Sequence, residues 1–218
     1  SKPHTLSKAE EKLLASFGEV MQAPSEAYHN LEDADLVFDP AKNAEGEEVE
    51  VTGSNFVPIE MGTDRVLREN AFRSFYKGYR QHINTMAATY AGAVKAATAE
   101  ARARHYESSR AMSMAGENVP VEVYDNLVAT VRKHMPAMHR YVRLRKKMLG
   151  VDELHFYDVY APLVGDLKKS YTYETAQQMV LKAVAPLGED YQKDVQKAYN
   201  EGWIDVYPNR GKRGGAYS

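Results

Sequence analysis

The stretch Thr63-Asp-Arg-Val-Leu-Arg-Glu-Asn-Ala-Phe-Arg-Ser-Phe-Tyr-Lys-Gly-Tyr79 begins a long helical pattern. Apolar and aromatic side chains recur every three or four residues, at Leu67, Ala71, Phe75, Tyr79, His82, Met86, Tyr90 and Val94. This period is typical of an α-helix with one buried face, so the sequence predicts a mainly α fold. Gly78 and Gly92 lie inside the pattern and argue against an unbroken rod, since each costs up to ~1 kcal/mol relative to alanine.

Further helices are predicted before and after this stretch. Ser7-Lys-Ala-Glu10 is a capping box, and Pro24 is expected to end the helix that it begins. A helical pattern continues over residues 104–114. Pro120 opens another helix, which Gly150 is expected to end as a left-handed cap.

Two more helices are expected near the end of the chain. Pro136 should kink or divide the helix that follows Pro120. Thr172 caps a predicted helix over residues 173–185, and a second runs from 189 to 201. An aromatic run, residues 154–163, precedes these two helices. It follows neither a helical nor an alternating pattern.

Three short segments have strand composition. They are Asp35–Asp39, Glu48–Thr52 and Phe56–Ile59, and turn-forming residues separate them. The sequence therefore predicts a small β meander inserted among helices.

Composition restricts the class of protein. Hydrophobic residues make up 44% and charged residues 27% of the 218-residue chain, and the net charge of −2 provides no bulk attraction to nucleic acid or an anionic membrane. The chain has no cysteine, which excludes disulfides and thiolate zinc ligands and suits a reducing cytoplasm. No apolar run approaches the ~18 residues that a membrane span needs. The sequence predicts a soluble cytoplasmic protein.

The sequence carries no complete catalytic motif. A helical zinc site needs His-Glu-x-x-His, which does not occur, and His134 and His139 are five residues apart with Pro136 between them. His82 is interpreted as a structural histidine. The basic run Arg140–Lys147 could contact phosphates, but a solvated helix end explains it better, since no nucleic-acid-binding fold accompanies it.

The last seventeen residues, Gly202-Trp-Ile-Asp-Val-Tyr-Pro-Asn-Arg-Gly-Lys-Arg-Gly-Gly-Ala-Tyr-Ser218, predict a C-terminal β-hairpin around Pro208–Gly211. Two interpretations of Gly214–Ser218 stay open. It is either a strand buried behind a basic turn, or an edge strand whose free backbone groups pair with an extended peptide. Gly214 and Gly215 would let another backbone approach closely.

This C-terminal stretch closely resembles the oligoendopeptidase F family of thimet-oligopeptidase-like zinc peptidases. The resemblance covers nearly the whole chain, in family order, through Lys2–Ser7, Asp64–Arg68, Ala71-Phe72, Asn84-Thr85, Ala103–Tyr106, Tyr157-Asp158 and Pro186–Gly188. One departure is Gly214, where the family more often has serine.

The resemblance implies a segment of a zinc metalloendopeptidase that hydrolyses short oligopeptides in a deep channel. Residues 1–100 would be the end of an N-terminal helical region, with the β insertion at about 35–60. Residues 101–218 would be the first part of a zincin-like catalytic domain. The zinc ligands and the general base would come from a later His-Glu-x-x-His helix and glutamate, so no catalytic or metal residue is expected here.

By the same resemblance, the substrate-binding residues are Gly214, Gly215, Ala216, Tyr217 and Ser218, which would hold the main chain of an oligopeptide substrate. The expected partners are this substrate and the remainder of the catalytic domain, with no nucleic acid and no membrane. The alternative is a non-catalytic helical domain that binds peptides or acts as a scaffold.

Overall fold

The computed structural model describes residues 2–165 and 169–207. In this part of the chain, residues 2–163 form one compact unit, and a second unit comprises the described residues from Val164 to Tyr207. The mainly α prediction is confirmed, since helices dominate both units and the sheet is small.

The first unit begins with two consecutive helices that a single residue separates. Helix α1 spans Lys8–Ser16 and α2 spans Gly18–Asn30, followed by a π-helical turn at Leu31–Asp35. The predicted capping box is confirmed: Ser7 Oγ accepts from Glu10 N, and Glu10 Oε2 accepts from Ser7 N at 2.9 Å.

Pro24 does not end a helix, contrary to the sequence prediction, because it lies inside α2. The chain breaks instead at Phe17, between α1 and α2. Pro24 packs against a later helix, where a Cβ added at Gly92 would lie 2.9 Å from the Pro24 Cγ. This packing offsets the backbone hydrogen bond that a proline removes from a helix.

The β region is a two-stranded hairpin rather than a meander. Strand β1 (Ala41–Lys42) pairs antiparallel with β2 (Glu48–Val49), in the register Ala41 to Val49 and Lys42 to Glu48. The Asn43 side chain closes the turn by accepting hydrogen bonds from the backbone N–H groups of Glu45 and Glu47.

Of the three predicted strands, only Glu48–Thr52 contains an observed strand, β2, and the predictions for Asp35–Asp39 and Phe56–Ile59 are wrong. Residues 36–39 are irregular, and Phe38 stacks on Phe75 at 4.6 Å between ring centroids rather than pairing with a strand. Phe56–Glu60 is helix α3. Thr52 and Asn55 bond each other's backbone N–H groups through their side chains, which favours a helical turn, and Pro58 fits the first turn of a helix.

The long predicted helix divides at His82 into α4 (Arg65–Gln81) and α5 (Ile83–Ala103). Asp64 caps α4 by accepting from the N–H groups of Val66 and Leu67. The first half of the predicted face is partly or fully buried, but Tyr90 in α5 is 74% exposed. The break at His82 reorients the second half, so the single buried face was wrong for α5.

The core of the first unit lies where α4 meets the hairpin. Its buried and half-buried apolar residues are Ala41, Val51, Ala71, Phe38, Ile59, Leu67 and Phe75. Gly78 lies at the same contact, and a Cβ there would lie 2.8 Å from Phe38 Cδ1. The absence of a side chain at Gly78 therefore lets Phe38 approach the α4 backbone.

Two more helices complete the first unit. Helix α6 spans Ser109–Gly116, and α7 spans Val121–Leu149 without a break at Pro136, where a kink or division was predicted. Gly150 ends α7 in the left-handed conformation, with φ of 66°, as predicted. The irregular run that follows contains one 3-10 turn, at Phe156–Asp158.

The second unit contains α8 (Tyr173–Ala183) and α9 (Glu189–Asn200), separated by a 3-10 turn at Ala185–Leu187. Thr172 caps α8 through its side chain, as predicted. Gln192 Nε2 donates to Leu181 O at 2.9 Å and ties the two helices together. In the described part of the chain, no helix combines the length and the apolar character that crossing a membrane requires.

Candidate functional site

A buried carboxylate, Asp158, fixes the irregular run after α7 to helix α4. Its Oδ1 accepts from Arg65 Nε at 3.0 Å and Arg68 Nη2 at 3.1 Å, and its Oδ2 accepts from His155 N at 3.1 Å. Burial raises the pKa of Asp158, but the hydrogen bonds from Arg65, the His155 backbone and Arg68 outweigh burial and hold this pKa below its ordinary value. Asp158 is therefore ionised and rigidly placed.

Arg145 of α7 also holds this run. Its Nη2 donates to the carbonyl oxygens of Asp158 at 2.9 Å and Ala161 at 2.6 Å, and only 6% of the residue is exposed. The run Arg140–Lys147 was predicted to be a solvated helix end, which is wrong for Arg145. The sequence contains no local signal for this role, because Arg145 lies in one basic run with Arg143 and Lys146, and both of those side chains are exposed.

Glu60, at the end of α3, lies beside this ion pair and is 1% exposed. Burial raises the pKa of Glu60 to about 7; Arg68 lowers it and the charge of Asp158 raises it further. Its Oε1 has no hydrogen-bond partner among the described residues. Together, Glu60, Arg65, Arg68, Arg145 and Asp158 are called the Asp158 cluster below.

The Asp158 cluster positions one wall of a surface groove. The groove has a volume of about 650 Å³ and lies between six residues of α4 and the turn His155–Tyr157. The α4 residues are Phe72, Arg73, Tyr76, Lys77, Arg80 and Gln81. This α4 groove is aromatic and cationic, which suits binding of an anionic group next to an apolar one. Sequence analysis missed it, because its two walls are more than seventy residues apart along the chain.

The structure brings together several of the segments that carry the family resemblance. Asp64–Arg68 meets Tyr157-Asp158 in the Asp158 cluster. Lys2–Ser7 meets Ala103–Tyr106, where His4 Nδ1 lies 2.9 Å from Arg104 O and the His4 ring stacks on Tyr106 at 3.6 Å. These landmarks are thus pairs of packing residues in the first unit.

The predicted substrate-binding residues Gly214, Gly215, Ala216, Tyr217 and Ser218 lie outside the described residues, as does the predicted turn at Pro208–Gly211. The first arm of the predicted hairpin, residues 203–207, is described and is not a strand. Trp203 is 60% exposed, and its Nε1 donates to Glu201 Oε2 at 3.3 Å.

The described residues do not fit a zinc ion. Within residues 2–165 and 169–207, no three His, Asp or Glu side chains are grouped as metal ligands. The histidines that could be considered, His82, His105, His134 and His139, belong to no such group.

Comparison with known protein families identifies the class to which this fold belongs. The profile of peptidase family M3 matches residues 60–218, and the profile described as oligopeptidase F matches residues 1–38. Because the first match alone covers more than half of its length, the chain belongs to peptidase family M3.

Two bacterial relatives match this chain along its whole length. Oligopeptidase PepF of Bacillus subtilis is 45% identical over 217 residues, and group B oligopeptidase PepB of Streptococcus agalactiae is 44% identical over 218. The chain covers 32% of the first relative and 36% of the second. It therefore spans about a third of the length of the curated relatives it matches.

Solved structures agree with this assignment. An oligoendopeptidase F from Enterococcus faecium matches with a TM-score of 0.73 and 37% identity, over 89% of this chain and 36% of that one. PZ peptidase A, solved with an inhibitor, matches with a TM-score of 0.78 at 18% identity, over 97% of this chain and 37% of that one. The second likeness shows a shared fold only.

Proposed function

We propose that this chain is a segment of a zinc metalloendopeptidase that hydrolyses short oligopeptides in a deep channel. The observation that carries the proposal is the match to B. subtilis oligopeptidase PepF along the whole chain at 45% identity. The substrate class follows from the names of the relatives, which are oligopeptidases and oligoendopeptidases.

In this proposal the segment contributes channel wall and a substrate-aligning strand, while the zinc site lies in the rest of the longer polypeptide. Residues 1–100 are the end of the N-terminal helical region, and residues 101–218 are the first part of the catalytic domain. The lack of cysteine supports a cytoplasmic location.

The proposed substrate strand is Gly214–Ser218. An extended peptide gains main-chain hydrogen bonds when it pairs with a strand edge, whatever its side chains are. Gly214 and Gly215 present no side chain, so the substrate backbone could approach closely. A strand of this kind would position the scissile bond without taking part in proton transfer.

The test measures cleavage of a quenched fluorescent peptide by a polypeptide of the length of the relatives. Gly215→Val would obstruct the approach of the substrate, and Ala216→Pro would remove one main-chain donor. Each is expected to lower kcat/KM by about tenfold or more, since about 1.4 kcal/mol of lost binding is a factor of ten. Gly116→Ala, at a position with open space around it, is the matched control.

Unchanged kcat/KM in both strand variants would remove the substrate role of Gly214–Ser218. Binding of the peptide without any cleavage by the longer polypeptide would favour the alternative, a non-catalytic peptide-binding domain.

A further inference from the structure

The α4 groove carries an excess of positive charge that its surroundings only partly compensate. Among its lining residues Arg73, Lys77 and Arg80 are cationic, and none is acidic. Arg73 pairs with Glu69 at 2.7 Å, and Lys77 pairs with Asp39 at 2.6 Å. Arg80 is exposed and has no hydrogen-bond or ion-pair partner among the described residues. One guanidinium therefore remains available to an anion.

Aromatic rings line the groove beside this cation. Phe72 packs against Tyr76 at 4.5 Å between ring centroids and meets Tyr157 edge-on at 5.9 Å. Phe156 is 80% exposed, although the residue after it, Tyr157, is buried. An apolar ring that is exposed on a rigid turn is ready to bind a ligand with little loss of conformational entropy.

The turn that presents Phe156 is fixed by the Asp158 cluster. Asp158 accepts from the His155 backbone at 3.1 Å, and Arg68 Nε donates to Tyr157 O at 2.9 Å. His155 also stacks on Tyr157 at 4.9 Å. The exposed ring therefore keeps its place relative to α4 before any ligand arrives.

The charges around the groove favour a ligand with a single negative charge. Glu69 and Asp39 lie beside two of the three cations and would repel a polyphosphate. Arg80 alone has its fork of N–H donors free, which matches one carboxylate in a bidentate pair. The groove volume of about 650 Å³ is typical of a site for a small ligand.

We propose that the α4 groove binds the C-terminal residue of an oligopeptide whose last side chain is aromatic. The terminal carboxylate pairs with Arg80, and the aromatic ring lies against Phe156 and Tyr76. The residues assigned to this site do not include Gly214–Ser218, and binding is measured without turnover, so the proposal does not depend on the proposed function.

Isothermal titration calorimetry of the 218-residue chain tests the proposal. The probe is a pentapeptide of four alanines followed by phenylalanine with a free carboxylate, at concentrations up to about 1 mM. The first comparison ligand is the same peptide with an amidated C-terminus. The second is penta-alanine with a free carboxylate. Both are expected to bind about tenfold more weakly, the amide because it loses the charge-assisted pair and penta-alanine because it lacks the ring.

Two groove variants and one control complete the experiment. Arg80→Gln and Phe156→Ala change exposed side chains and are each expected to weaken binding of the free acid about tenfold. In Arg80→Gln the difference between acid and amide should disappear. Arg132→Gln removes another exposed arginine, one that does not line the groove, and should bind like the wild type.

Three outcomes would overturn the proposal. The first is no detectable binding of the free acid by the wild-type chain. The second is equal binding of acid and amide, or unchanged binding in Arg80→Gln. The third is concentration-dependent dimerisation, measured by analytical ultracentrifugation, that Arg80→Gln abolishes, because the groove would then belong to a second copy of the chain.

Discussion

Replacing Asp158 with asparagine should destabilise the first unit strongly, although the side chain keeps its size. The side chain of Asp158 is 0% exposed and that of Arg68 is 4% exposed, so their ion pair is inaccessible to water. Removing one partner of a buried ion pair costs about 3–5 kcal/mol, because the other charge stays buried without compensation.

The lower end of that range applies here. Arg68 keeps two backbone acceptors, Tyr157 O at 2.9 Å and Gly62 O at 2.8 Å. Glu60 can also ionise more readily when the negative charge of Asp158 is gone, which supplies a substitute carboxylate beside Arg68. We expect Asp158→Asn to lower the free energy of unfolding by about 3 kcal/mol near neutral pH. Adding Glu60→Gln should cost more than the sum of the two single changes.

Native-state hydrogen exchange in urea measures this effect at the backbone amides of α4, where the first unit can be followed by itself. The matched control is Asp39→Asn, which breaks the exposed pair with Lys77 and should cost only about 0–1 kcal/mol. A loss of less than about 1 kcal/mol in Asp158→Asn, or a loss equal to that of the control, would refute the assignment of Asp158 as the anchor of this unit.

Three further predictions concern stability. The pKa of Glu60 is raised to about 7 from its ordinary 4.5. The contribution of its protonated carboxyl to the free energy of unfolding is therefore complete below pH 4.5 and is lost as pH rises through about 7. The Glu60→Gln variant should therefore have the same free energy of unfolding as the wild type near pH 4, and be more stable than the wild type by about 3 kcal/mol near pH 8. A constant difference between the two free energies, measured by urea unfolding across that range, would contradict this prediction. Gly78→Ala should lower the free energy of unfolding by about 1–3 kcal/mol, because the new Cβ would lie 2.8 Å from Phe38 Cδ1. Gly116→Ala, at a position with open space around it, should be neutral or stabilising. Equal thermal midpoints in the two variants would contradict the close packing of Phe38 on Gly78. Ser7→Ala should cost about 1 kcal/mol through loss of the cap of α1, and an unchanged thermal midpoint would contradict that role.

Local features of the fold could be predicted from the sequence. Ser7, Asp64 and Thr172 each accept a backbone hydrogen bond at the start of a helix, and Gly150 ends one in the left-handed conformation. Each of these effects depends on one residue and the few residues next to it, so the local sequence is sufficient to predict it.

Features that depend on distant contacts could not be predicted in the same way. Pro24 remains inside α2 because it packs on Gly92. Phe56 begins helix α3, and its ring stacks on Phe75 at 4.0 Å between centroids. Arg145 is buried because it reaches the carbonyl oxygens of residues 13 and 16 positions later in the sequence. In each case tertiary packing outweighs the local preference.

The candidate sites differ in the same respect. The α4 groove requires residues 72–81 and 155–157 to meet, and no periodicity indicates that meeting. The strand Gly214–Ser218 was predicted through family resemblance and stays a prediction, since it lies outside the described residues.

Metal content and peptide cleavage, measured together on two polypeptides, test whether the zinc site lies outside this segment. We expect that the isolated 218-residue chain neither retains stoichiometric zinc nor cleaves a quenched fluorescent oligopeptide. We expect that a polypeptide of the length of the relatives does both. Stoichiometric zinc with turnover in the isolated chain, or neither property in the longer polypeptide, would contradict this expectation.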